Sequence, residues 1–99
     1  MSNQSTILFT AYVNGEPKQY LARGRVAQTL HCLVAAGSEG ITALEVNSWA
    51  FRLASYIYDL RHDYELDIQT KPELHEGGSH ARYFLITPVE VMEVGGGSK

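Results

Sequence analysis

Ninety-nine residues, 44% of them hydrophobic, suit a single domain with an ordinary apolar core and exclude a chain too polar to fold. The formal charge of −3 is not the balance of a strongly basic nucleic-acid binder. A lone cysteine, Cys32, excludes an intramolecular disulfide, and no apolar run approaches the length of a membrane span.

In chain order, "MSNQS" is polar, and the following "TILFTAYV" alternates. Ile7, Phe9, Ala11 and Val13 fall on one side, Leu8, Thr10 and Tyr12 on the other. Asn14-Gly15 is a strong hairpin signal because a two-residue turn of this kind needs positive φ at both positions. The spacing predicts strands at 6–13 and 17–22, with Pro17 pointing to a sheet edge or strand start. "GRVAQTLHCLVAAG" follows, with Val26, Leu30, Leu33 and Val34 at helical spacing and Gly37 placed to end the helix. Cys32 lies inside that run and reads as a buried thiol.

Thr42 and Glu45 form a T-x-x-E capping box, which predicts a short second helix starting at Ala43. Asn47 or Ser48 can cap a third helix over about residues 50–63. Leu53, Ile57, Leu60 and Tyr64 make its apolar stripe, while Arg52, Ser55, Tyr56, Asp59 and His62 lie on the other side. After Tyr64 the period becomes alternating, with Leu66, Ile68 and Thr70 on one side of a strand weakened by Pro72. "HEGGSH" reads as a long flexible tip, and "ARYFLITP" as the returning strand. The closing "GGGSK" has the composition of a flexible tail.

The order of these elements is helix, short strand at Ile41, short helix, turn, helix, hairpin. A capped helix joined to a longer amphipathic one is a helix-turn-helix, and a hairpin directly after it makes a wing. The residues carry a resemblance as well. "GITALEVNSWAFRLASYIYDLRHDYELDI…GSHARYFL" resembles small winged-helix proteins of bacteriophages and prophages. Their mark is a "RLAxxIxDLR" helix followed by a glycine-bearing wing and a "HARYxL" strand. Arg52-Leu53-Ala54, Ile57, Asp59-Leu60-Arg61 and His80-Ala81-Arg82-Tyr83 match it over about residues 24–87. The chain departs from the pattern at Tyr56, where members often carry a basic residue, and near Trp49, where they carry a glycine.

The resemblance implies an α+β winged helix-turn-helix, with three helices and a wing hairpin, over residues 24–88. Residues 1–23 would be an extension bearing a β-hairpin, and 89–99 a flexible tail. It also implies a DNA-binding transcriptional regulator, phage- or prophage-derived, in the cytoplasm of a bacterial cell. The partner would be double-stranded DNA, and the N-terminal hairpin offers an open edge for a homodimer.

In a helix-turn-helix the recognition helix meets base edges through residues near its N-terminus. Ser48, Trp49, Arg52, Ser55 and Tyr56 are the candidates there, Arg52 above all because its fork matches guanine O6 and N7. Lys71, His80 and Arg82 on the wing are candidates for phosphate contact, opposed by Glu73 and Glu76. An Arg held by a neighbouring carboxylate and a Tyr with a half-buried ring are the competing structural readings. His75 and His80 share a loop, yet no paired ligand spacing accompanies them, so no metal site is expected. No nucleophile elbow, phosphate loop or H-E-x-x-H is present, and neither an enzyme nor a cofactor is expected. The acidity, Tyr56, Tyr58 and the hairpin support an alternative, a winged helix used for protein contact or as a dimeric adaptor without DNA.

Overall fold

The structure, a computed structural model, describes residues 6–43 and 52–95. The N-terminal hairpin forms as the alternation predicts. Strand β1 (Thr6–Val13) pairs antiparallel with β2 (Glu16–Arg23), with Val13 opposite Glu16 across the turn. Asn14 at φ 54° and Gly15 at φ 82° supply the two positive angles that the turn requires. From that turn, Tyr12 and Pro17 are a non-hydrogen-bonded pair, so the donor that Pro17 lacks would have faced away from β1. Proline costs nothing on this edge.

Helix α1 (Gly24–Ala36) follows at once and ends where Gly37 takes φ 57° and donates its N–H to Leu33 O. Its buried face is Ala27, Thr29, Leu30 and Leu33, with Val26 and Val34 half-buried on the flanks. The stripe is therefore turned slightly from the one that Val26, Leu30, Leu33 and Val34 suggest. Thr29 is accommodated because its hydroxyl donates to Arg25 O at 2.8 Å one turn earlier. Cys32 is half-buried, and burial pushes its thiol up, in keeping with an unreactive side chain.

A 3₁₀ turn (Gly37–Glu39) leads into β3 (Ile41–Thr42), the short strand expected at Ile41. Helix α2 (Leu53–Asp63) buries Leu53, Ile57 and Leu60. Among the described residues there are two α-helices; the short helix expected from Ala43, including Glu45 of the capping box, falls on 44–51, outside them. Strands β4 (Ile68–His75) and β5 (Gly78–Leu85) pair antiparallel from Ile68↔Leu85 to His75↔Gly78. The "HEGGSH" stretch is thus not a long tip but two strand ends joined by the tight turn Glu76–Gly77. Pro72 does not break β4, because it opposes Ala81 at a non-hydrogen-bonded position of an edge strand.

The larger correction concerns the C-terminus. Residues 89–99 were expected to be a flexible tail, but Val89–Gly95 is strand β6. It pairs antiparallel with β1, giving a three-stranded sheet in the order β2-β1-β6. Val89 and Val91 turn toward the core, and the register shifts between Leu8 and Phe9, so that Met92 is the extra residue of a bulge and Ile7 pairs with Val94. The second sheet has the order β3-β5-β4.

Both sheets and both helices share one buried cluster. It joins Ile7, Phe9, Ala11 and Ala22 of the hairpin to Leu30 and Leu33 of α1, Leu53, Ile57 and Leu60 of α2, and Leu66 and Ile68 beyond it. Phe9 is the hub of an aromatic trio, its ring 5.7 Å from both Tyr20 and Tyr64, which lie 5.3 Å apart edge to face. Asp67 locks the junction between the sheets: its carbonyl accepts from Ile86 N at 2.8 Å, and Thr87 Oγ1 accepts from Asp67 N at 2.6 Å. No helix among the described residues is long and apolar enough to cross a membrane.

Candidate functional site

Because Leu53, Ile57 and Leu60 face inward, 3.6-residue periodicity turns Ser55, Tyr58 and His62 outward. Arg52 precedes the first turn of α2 and is exposed at the near end of that row. Tyr58 is 60% exposed, and its ring lies 4.0 Å from that of His62 at a 33° tilt. The two form a flat aromatic surface one helical turn long. Cations on this face are few. Arg52 is matched against Asp59, half-buried, and Asp63, exposed, on the same helix.

The wing is fixed to the helix by Arg61. Its Nε donates to Ile68 O at 3.1 Å and its Nη2 to Thr70 Oγ1 at 2.8 Å. Leu66 N also donates to Leu60 O at 3.3 Å, which closes the short connection. Arg61 therefore sets the angle between α2 and β4 and is a positioning group.

Two wing candidates are engaged internally. Glu73 accepts from Arg82 through both carboxylate oxygens, and His80 Nε2 lies 2.9 Å from Glu73 Oε1. Arg82 Nη1 also donates to Glu39 O at 3.0 Å, tying the wing to the 3₁₀ turn. His80 and Arg82 thus brace the β3-β5-β4 sheet. The Arg82 guanidinium first, and His80 second, hold the Glu73 carboxyl below the usual carboxylate range. A carboxyl whose pKa is lower folded than unfolded adds stability above the unfolded value and loses it as pH falls through the folded one. Acidification from about pH 6 to about pH 3 is expected to loosen the wing, and Glu73→Gln to remove part of that dependence. Acid titration followed by hydrogen exchange in β4 and β5 checks this; identical acid profiles for the two proteins would contradict it.

Of the sequence candidates, Arg52 and Ser55 stand together on the outer face of α2, and Lys71 is exposed on β4 with its ammonium 5.4 Å above the Phe84 ring. Tyr56 is half-buried on the flank, not on the outer row. Ser48 and Trp49 lie outside the described residues. The sequence reading named Tyr58 only in support of protein contact and left it out of the candidates for DNA contact. Its place opposite Leu53, Ile57 and Leu60, four residues before His62, was available from helical spacing alone. Leu74 is 89% exposed near the wing tip. Among the described residues no group of His, Cys, Asp or Glu is arranged to hold a metal ion.

A family model described as a winged helix domain matches residues 19–95. The match takes in the end of β2 and all of β6, in agreement with the shared core. No curated protein and no solved structure matches the chain.

Proposed function

Since the chain belongs to the winged helix domain family, we propose that it binds double-stranded DNA, with α2 in the major groove and the β4–β5 wing along the backbone. The observation that carries this reading is the outward row Arg52, Ser55, Tyr58 and His62 on the helix that precedes the wing. Arg52 would read guanine, Ser55 would donate to a phosphate, and Tyr58 would meet sugar or a thymine methyl. Lys71 would add a phosphate contact from the wing. The resemblance of residues 24–87 to phage and prophage proteins supports a role as a transcriptional regulator in a bacterial cytoplasm, without catalysis or cofactor.

With two or three phosphates neutralised, binding should be micromolar and its logarithm should fall with the logarithm of salt at a slope of about −2 to −3. Fluorescence anisotropy with random and genomic duplexes measures this. Arg52→Ala is expected to weaken binding about 5- to 150-fold, the worth of one bidentate base contact. A folded sample that binds no duplex at low salt would overturn the reading.

A second reading rests on a specific observation: Arg61 and Arg82 are bound within the protein while Tyr58 and Leu74 are exposed. On this reading the same face docks a protein, and the anisotropy experiment separates the two.

A further inference from the structure

Strand parity gives the wing two unlike faces. Ile68 is buried in the core, so Thr70, Pro72 and Leu74 of β4 share its side, with Tyr83, Ala81 and Ser79 opposite them on β5. This is the α2 side of the wing, because Arg61 of α2 reaches it at Thr70 Oγ1. None of these six side chains is charged. The charges lie on the other side, where Lys71 stands over the Phe84 ring and Glu73 binds His80 and Arg82. Leu74 is the most exposed large apolar side chain among the described residues.

A single exposed leucine needs no explanation of its own. Leu74 differs in how it is held. It sits one residue before the pair that closes the tight turn, and its cross-strand neighbour, Ser79, is too small to cover it. Directly below it, Glu73 ties β4 to His80 and Arg82 of β5, and Arg82 reaches on to Glu39 O. The hairpin is thus braced almost to its tip, and the leucine is presented with little freedom to lose on binding. From Thr70, where Arg61 pins the wing, Leu74 lies about 13 Å along the strand. Half a turn of duplex, the step from a major groove to the next minor groove, is about 17 Å.

A strip without cations neutralises no phosphate. An apolar group on such a strip fits the base step instead. The minor groove is about 6 Å wide, too narrow for two strands about 4.8 Å apart with their side chains, so one projecting side chain enters and the ribbon does not. We propose, building on the DNA reading above, that Leu74 is an apolar wedge for the minor groove next to the major groove that α2 occupies. It enters at a flexible pyrimidine–purine step, partly unstacks it and bends the duplex toward the major groove, onto α2. The preferred ligand is then a duplex with a TA or CA/TG step about half a turn from the α2 contact. Part of the specificity comes from the ease of deforming that step, with no hydrogen bond to its bases.

Two duplexes of equal length and composition test this, one with TA steps spaced along it and one with the same bases arranged as A-tracts. Anisotropy reads affinity, and energy transfer between end labels reads bending. The full chain should prefer the first duplex about tenfold and draw its ends together. Leu74→Ala should bind the two within about twofold of each other and leave the ends apart. Its salt dependence should match the parent's, since Leu74 neutralises no phosphate. Lys71→Ala should do the reverse, keeping the preference and lowering the salt slope by about 1. Leu74→Phe, another wedge residue, should keep both the preference and the bend. Circular dichroism confirms that each variant is folded, and both positions are exposed. A parent that binds both duplexes alike would overturn the proposal and leave the DNA reading standing, as would a Leu74→Ala variant that keeps the preference and the bend. A parent that binds neither duplex at low salt would overturn both and leave Leu74 to protein contact.

Discussion

Replacing Phe9 with alanine is expected to lower the free energy of unfolding by about 3–5 kcal/mol. Phe9 is fully buried on the central strand of its sheet, and its ring packs against both Tyr20 of β2 and Tyr64 beyond α2. Truncation removes the transfer energy of the ring and leaves a cavity that three elements would have to close together. Each kcal/mol is worth about 4–8 °C in a domain of this size, so the melting temperature should drop by at least about 12 °C. Leu74→Ala is the control: at 89% exposed it should stay within about 0.5 kcal/mol of the parent. Urea unfolding decides between two pictures of the hairpin. If it is part of the core, Phe9→Ala is as costly as any change in α2. A cost under about 1 kcal/mol would mean that the winged portion folds without it.

Gly40→Ala should be nearly as damaging, for a different reason. Gly40 sits at φ +68° at the entry to β3, where an L-residue is strained by about 1–3 kcal/mol. A Cβ there would also stand 2.6 Å from Tyr83 O and 2.9 Å from the Phe84 ring. The first of these is backbone of the central wing strand and cannot swing away, so overpacking adds about another 1–3 kcal/mol. The strand that must shift also carries Arg82, which reaches back to Glu39 O. Wing and 3₁₀ turn are then disturbed together. Thermal melts of Gly40→Ala and Gly15→Ala separate the two causes, because Gly15 shares a positive φ but has nothing near its absent side chain. A loss at Gly40 no larger than at Gly15 would show that the contact with Tyr83 does not matter.

Much of this architecture is legible from residues. Asn14-Gly15 announces the hairpin because so few residues tolerate two positive φ angles in succession. Gly37 ends α1 where the apolar spacing stops, and Leu53, Ile57 and Leu60 define the inward face of α2. Strand β6 is harder to see. The alternation of Val89, Glu90 and Val91 breaks at Met92, because a bulge inserts one residue and reverses the phase, and a glycine-rich end follows directly. The partners of Arg82 depend on the wing register. Glu73 opposes His80 and is only diagonal to Arg82, so the cluster follows once the turn is known to be Glu76–Gly77 and not a longer loop. Tyr58 needed no structure. It lies on the outer row by spacing, but the resemblance drew attention to Tyr56, where relatives carry a base.

The face that α2 presents is short of cations, so on the proposed reading affinity for DNA would come from few phosphates and from direct contact by Arg52, Ser55, Tyr58 and His62. An NMR titration of the ¹⁵N-labelled chain with duplex DNA at low salt examines that claim residue by residue. The account predicts amide shifts concentrated in Ser55, Tyr58 and His62 of α2 and around Lys71 of β4, fading as salt is raised. Shifts confined to the outer face of β2, β1 and β6, or no shifts at all at low salt, would contradict it.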